Sequence, residues 1–195
     1  YTSGTPGTII INGGIINAYG GHEAAGIGGG LNSAATSSSI IINGGTVNAY
    51  GGRWAAGIGD GDSLQNDWSE SFTDSYSIVI NGGTVSAVGG VGCPGIGATD
   101  ELSAGQTRKD TSGMEIHING GRVSAKSGYP DGFDPSGTNG YSGTDAAAAI
   151  GAGNRTSLAS NSISISSSSQ IIASGFGHYS VTENGTDYSA RPTVN

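Results

Sequence analysis

Residues 39–61 read SIIINGGTVNAYGGRWAAGIGDG, and this 23-residue stretch recurs along the chain. It stands as TIIINGGIINAYGGHEAAGIGGG from Thr8, as SIVINGGTVSAVGGVGCPGIGAT from Ser77 and, cut short, as EIHINGGRVSAKSG from Glu115. The Glu115 copy resumes after an insertion as AAAAIGAG, ending at Gly153, and a degraded copy, SISISSSSQIIASGFG, follows from Ser162. Repetition at this period means stacked supersecondary units, each too small to bury an apolar face alone.

Inside 39–61, strand-like pieces alternate with glycine pairs: Ile40–Ile42, then Asn43-Gly44-Gly45, then Thr46–Tyr50, then Gly51-Gly52, then Ala55–Gly59. Alternate residues of a strand face opposite sides. Turning Ile40, Ile42, Val47, Ala49 and Ile58 inward leaves Ile41, Thr46, Asn48 and Tyr50 outside, and the same frame fits the other copies. Three strands and three corners per unit predict one coil of a parallel β-helix. The expected fold is all-β, a right-handed parallel β-helix of about five coils, roughly 24 Å long. Coils fall near 8–30, 39–61, 77–99, 115–153 and 162–177, leaving 178–195 as a C-terminal cap or linker. A sandwich of stacked hairpins is the rival, because Asn-Gly also makes antiparallel turns. The motif asparagines Asn12, Asn43, Asn81 and Asn119 are expected to stack as a ladder. Extra residues enter as loops at Leu31–Ser38, Asp62–Tyr76, Asp100–Met114 and Tyr129–Thr144, and insertions gathered on one side of a solenoid tend to mark its working face.

Composition limits the partners. Glycine is 38 of 195 residues but proline only 5, without a Gly-X-Y period, so collagen is excluded. Seven Lys and Arg against a net charge of −8 argue against nucleic acid. No apolar run reaches the roughly 20 residues of a membrane span. Cys93 is the sole cysteine and replaces Ala24, Ala55 and Ala147 of the other copies, so it reads as a small buried residue. The Ser-, Thr-, Asn- and Gly-rich, charge-poor composition suits a bacterial extracellular or cell-surface protein.

The residues that bear chemistry lie outside the frame. Tyr19 and Tyr50 fall one coil apart in an outward column with Val88 and Lys126, flanked by Asn17 and Asn48. Rings beside amides suit the apolar face and hydroxyls of a sugar, and equally suit an aromatic ladder on a sheet. Trp54, at a corner, and the loop residues Trp68 and Tyr129 are further ligand-binding candidates. Asp60, Asp62 and Asp67, with Asp131 and Asp134 in a second stretch, read first as solvated acidic loops and second as hard-oxygen ligands for calcium. No catalytic residue is assigned. His22, His117 and His178 occupy unrelated positions, no Ser/His/Asp or zinc spacing stands out, and Arg122 and Lys126 are the one basic pair sharing an outward face. The column Ile15, Thr46, Thr84, Arg122 is too mixed for an ice-binding array.

The pattern INGGTVxAxGG…AAGIGxG, in residues 39–61 and the sister copies, resembles repeats in large surface proteins of Gram-positive gut bacteria. It is also distantly similar to β-helical carbohydrate-binding domains of clostridial surface proteins. The likeness covers 8–99 well, 115–153 in part and the tail not at all. It implies a surface location within a larger protein, with polysaccharide or acidic sugars and calcium as ligands, although no motif around Asp60 or Asp131 matches those domains' metal sites. The reading is an extracellular, adhesin-like domain that binds a polysaccharide or host glycan. The alternatives are a structural stalk and a β-helix of polysaccharide lyase or glycoside hydrolase type.

Overall fold

The computed structural model describes residues 7–30, 38–62, 76–99, 114–128, 147–153, 163–175, 179–183 and 186–190. The first coil holds β1 (Thr8–Ile11), β2 (Ile15–Tyr19) and β3 (Ile27–Gly28). The second holds β4 (Ser38–Ile42), β5 (Thr46–Tyr50) and β6 (Ile58–Gly59). The third holds β7 (Tyr76–Ile80), β8 (Thr84–Val88) and β9 (Ile96–Ala98), and the fourth β10 (Glu115–Ile118), β11 (Gly121–Lys126) and β12 (Ile150–Ala152). A fifth adds β13 (Ile163–Ile165) and β14 (Ser169–Ser174), and a hairpin of β15 (Tyr179–Glu183) and β16 (Thr186–Ala190) follows.

Each strand pairs in parallel with its counterpart one coil away, which gives three sheets: β1-β4-β7-β10-β13, β2-β5-β8-β11-β14 and β3-β6-β9-β12. The chain is a parallel β-helix, and the hairpin-sandwich rival fails because antiparallel pairing among the described residues is confined to β15–β16. Register follows the repeat residue for residue: Ile9 lies on Ile40, Ile40 on Ile78 and Ile78 on Ile116. The core is the set of columns turned inward: Ile40, Ile42, Val47, Ala49 and Ile58 in the second coil, and their counterparts through the fourth. The end coils are thinner. Ile9 is 39% exposed and Ile165 51%, since no described coil covers their outer side.

Three insertions are shorter than the sequence indicated. Tyr76 and Met114 lie at the mouths of the expected loops, yet both are buried. They are the inward residues of their columns, and the Tyr76 hydroxyl crosses the core to donate to the Gly59 carbonyl at 3.0 Å. Asp62 is likewise buried, and Ser38 opens β4.

The first corner shows why the motif needs Asn-Gly-Gly. Each asparagine amide donates to the carbonyl of the asparagine one coil earlier: Asn43 to Asn12 at 2.8 Å, Asn81 to Asn43 at 2.8 Å and Asn119 to Asn81 at 2.9 Å. The second glycine has φ near +90°, and a Cβ on Gly45 would sit 2.6 Å from the Gly14 carbonyl oxygen. The fifth coil lacks the motif because its corner is one residue longer. Between Ile165 and Ser169 lie Ser166, Ser167 and Ser168, where the fourth coil has only Asn119 and Gly120. Ser166 accepts a bond from Ser169 N–H, and the Ser168 hydroxyl donates to the Asn119 carbonyl at 2.8 Å, so the turn closes without a left-handed residue. No helix among the described residues is long and apolar enough to cross a membrane.

The two motif glycines therefore differ in kind. Gly45→Ala is expected to cost more than about 2 kcal/mol. Gly44→Ala, whose Cβ meets nothing nearer than 3.4 Å, is expected to cost about 0.5 kcal/mol or less. Urea-unfolding midpoints of the two variants check this, and equal losses would refute it.

Candidate functional site

The outer face of the second sheet brings together the residues picked out by the repeat. Register sets Asn17 against Asn48 and Tyr19 against Tyr50. The two phenol rings stack with centroids 5.0 Å apart and planes inclined by 7°. Parallel strands place equivalent side chains about 4.8 Å apart, the spacing that lets two flat rings lie face to face. Stacking consumes one face of each ring. Tyr50 continues to Val88 in the third coil, whereas Tyr19 heads the column and is 74% exposed against 36% for Tyr50. The Asn48 amide donates to the Asn17 side-chain oxygen at 2.9 Å, which leaves the Asn17 amide without a hydrogen-bond partner among the described residues, two positions along β2 from Tyr19.

Four residues beyond Tyr19, Tyr50 and their counterpart Val88, the chain is turning at the second corner. Equivalent positions there carry Glu23, Trp54 and Gly92, all left-handed, with φ of 62°, 63° and 66°. Glycine adopts this conformation freely, whereas a bulky residue there is an outlier that points to a use other than the turn itself. The Arg53 guanidinium lies 3.9 Å over the centre of the Trp54 ring, and the His22 ring meets it edge-on with centroids 5.8 Å apart. His22 Nδ1 is 3.1 Å from a carboxylate oxygen of the buried Glu23. The Trp54 indole N–H is buried without a hydrogen-bond partner among the described residues.

The acidic candidates separate. Asp60 and Asp62 close the second coil and are 3% and 0% exposed, so they correct the expectation of a solvated loop. Their backbones explain the position: Asp60 N–H donates to the Gly97 carbonyl and Asp62 N–H to the Glu23 carbonyl. Among the described residues no group of three or more His, Cys, Asp or Glu is placed to hold a metal ion. Asp67, Asp131, Asp134, Trp68 and Tyr129 lie outside the described residues. Cys93 is buried as expected, with its thiol 3.1 Å from the Val91 carbonyl.

One grouping escaped the sequence. His117 Nδ1 lies 2.7 Å from Ser164 Oγ and His117 Nε2 lies 3.2 Å from Glu115 Oε2. The pair His117–Ser164 spans 47 residues and one coil, and becomes visible only when the degraded copy is set in register under the fourth.

A Beta helix repeat family model matches residues 9–31, 40–62 and 78–100, which are the first three coils. Neither the curated proteins nor the solved structures gave a match. The fold and the matched repeats together make the chain a β-helical repeat domain.

The strained corner yields a prediction. Trp54→Gly removes the cation–π contact, worth about 0.5–1 kcal/mol, and relieves a left-handed backbone worth about 1–2 kcal/mol. Thermal unfolding is expected to show no loss of stability. A loss above about 2 kcal/mol would make Trp54 a structural pin instead.

Proposed function

We propose that this β-helical repeat domain binds glycan at the surface of a bacterial cell, with the free face of Tyr19 as its platform. The carrying observation is the asymmetry of the tyrosine pair: Tyr50 stacks behind Tyr19, and Tyr19 stays 74% exposed beside the open amide of Asn17. An aromatic face takes the apolar C–H side of a pyranose, while an amide N–H at its margin donates to a hydroxyl. Tyr50 and Asn48 then act as supports that hold Tyr19 and Asn17 in one rotamer, which lowers the entropic cost of binding. Trp54, with Arg53 over one face, supplies a second aromatic group at the neighbouring corner. The resemblance to surface-protein repeats favours a polysaccharide or host glycan as the partner and a larger surface protein as the setting. Calcium enters this reading only through Asp60 and Asp62 and the aspartates beyond the described residues.

The same ladders support a second reading, a stalk that projects other domains. Asparagines and tyrosines in register stiffen a rod whether or not a sugar binds.

A glycan and polysaccharide array, run with calcium and with chelator, separates the two readings. Tyr19→Ala is expected to lower retention about tenfold, the equivalent of one lost ring contact near 1.4 kcal/mol. Asn17→Ala is expected to weaken it less, and Tyr50→Ala to act through the loss of support. Chelator sensitivity would bring the acidic residues into the site. Absence of retention on every surface would leave the stalk.

A further inference from the structure

The outer face of the first sheet carries a second cluster, on the fourth and fifth coils, whereas Tyr19 lies on the second sheet in the first coil. Glu115 and His117 are two apart on β10 and so share the outward side, and Ser164 of β13 stands beside His117 in register. A carboxylate only accepts hydrogen bonds, so the 3.2 Å contact with Glu115 places the imidazole proton on Nε2. Nδ1 is then the acceptor for the Ser164 hydroxyl at 2.7 Å. The order is hydroxyl, imidazole, carboxylate: a nucleophile on a base that a third group orients.

Two features beside the cluster suit it to an acyl group. β13 is the last strand of its sheet. Ser166 N–H turns back to the Ile118 carbonyl, so the alternate N–H groups, of Ile163 and Ile165, face the free edge without a partner among the described residues. They are donors available to a developing oxyanion. On the other side of His117 the same outward column continues as Val79, Ile41 and Ile10, with Ile10 56% exposed. This apolar stripe spans three coils, about 10 Å at the spacing of stacked strands.

From this geometry we infer that Ser164, His117 and Glu115 form an esterase-type site for carboxylic esters with an apolar acyl chain. Ser164 Oγ adds to the ester carbonyl carbon as its proton passes to His117 Nδ1. The bond from that carbon to the alkoxy oxygen breaks, and the alcohol leaves with the proton from His117. Water, activated by the same nitrogen, then adds to the acyl-serine, releasing the carboxylic acid and restoring Ser164. Glu115 is a positioning residue, which holds the tautomer that leaves Nδ1 free. The site stands apart from the proposed glycan platform, and neither depends on the other.

The test is reaction of the whole chain with a fluorophosphonate probe, mapped by mass spectrometry, together with hydrolysis of p-nitrophenyl acetate and butyrate. Ser164 is expected to carry the label and Ser164→Ala to lose it. His117→Ala is expected to slow both labelling and turnover about a hundredfold. Glu115→Gln is expected to lower kcat with KM unchanged. Butyrate is expected to react faster than acetate, and Val79→Ser to abolish that preference. Melting curves verify that each variant folds, with His117→Gln in place of His117→Ala should the latter unfold. No label on Ser164, or a rate unchanged without His117, would overturn the assignment and leave the cluster as a cross-strand hydrogen-bond chain.

Discussion

Everything in this molecule depends on one constraint, the in-register parallel pairing of each coil with the next. It sets each residue of the described coil strands over its own equivalent at the spacing of hydrogen-bonded strands. Columns of identical residues are the result, and each column must be self-compatible. Isoleucine over isoleucine packs, asparagine over asparagine bonds amide to carbonyl, and tyrosine over tyrosine stacks. Where backbones of adjacent coils come closest, the column admits no side chain at all. A Cβ on Gly97 would fall 1.8 Å from the Gly151 carbonyl oxygen, and one on Gly59 would fall 2.1 Å from that of Gly97. At these positions glycine is a product of stacking, and at the corners it supplies the left-handed backbone that the turn needs.

The fold was legible because two periods reinforced each other. Alternation assigned Ile40, Ile42, Val47 and Ala49 to the interior, and the repeat confirmed the same parity in every copy, as their burial shows. Legibility ended where the repeat did. Tyr76 and Met114 continue inward columns but sit against insertions with no counterpart in the other copies, so they read as loop residues. Asp60 and Asp62 looked solvated from their charge, whereas position at the end of a coil buries them. For the site, register was enough to bring Tyr19 to Tyr50, since identical offsets fix the Cα pairing. It did not give the face-to-face stack, which is a matter of side-chain rotamers. The His117–Ser164 contact was hidden because Ser164 belongs to the copy that has diverged most, which keeps only the alternating isoleucines of Ile116–Ile118 and lacks the Asn-Gly-Gly corner that marks the register.

Structure and chemistry divide along the same line. Positions that repeat in every full copy build the core and the corners. Positions that break the repeat gather the polar and aromatic groups: tyrosine in the first two coils but valine in the third, tryptophan where the third coil has glycine, histidine where three coils have isoleucine or valine. A column tolerates such departures on its outward side, where a side chain meets solvent and only two neighbours.

The asparagine ladder has a direction. Every amide donates toward the lower-numbered coil, from Asn119 to Asn81 to Asn43 to Asn12, and Asn48 donates to Asn17 in the same sense. Bonds aligned in one chain polarise each other, so each rung strengthens its neighbours. A duplicated coil spliced into the middle of such a chain inherits the correct polarity at both junctions without a compensating change. Coil number is thereby freed from selection on the interface between coils, and a gene encoding this fold can lengthen or shorten by unequal exchange between its own repeats while each intermediate still folds.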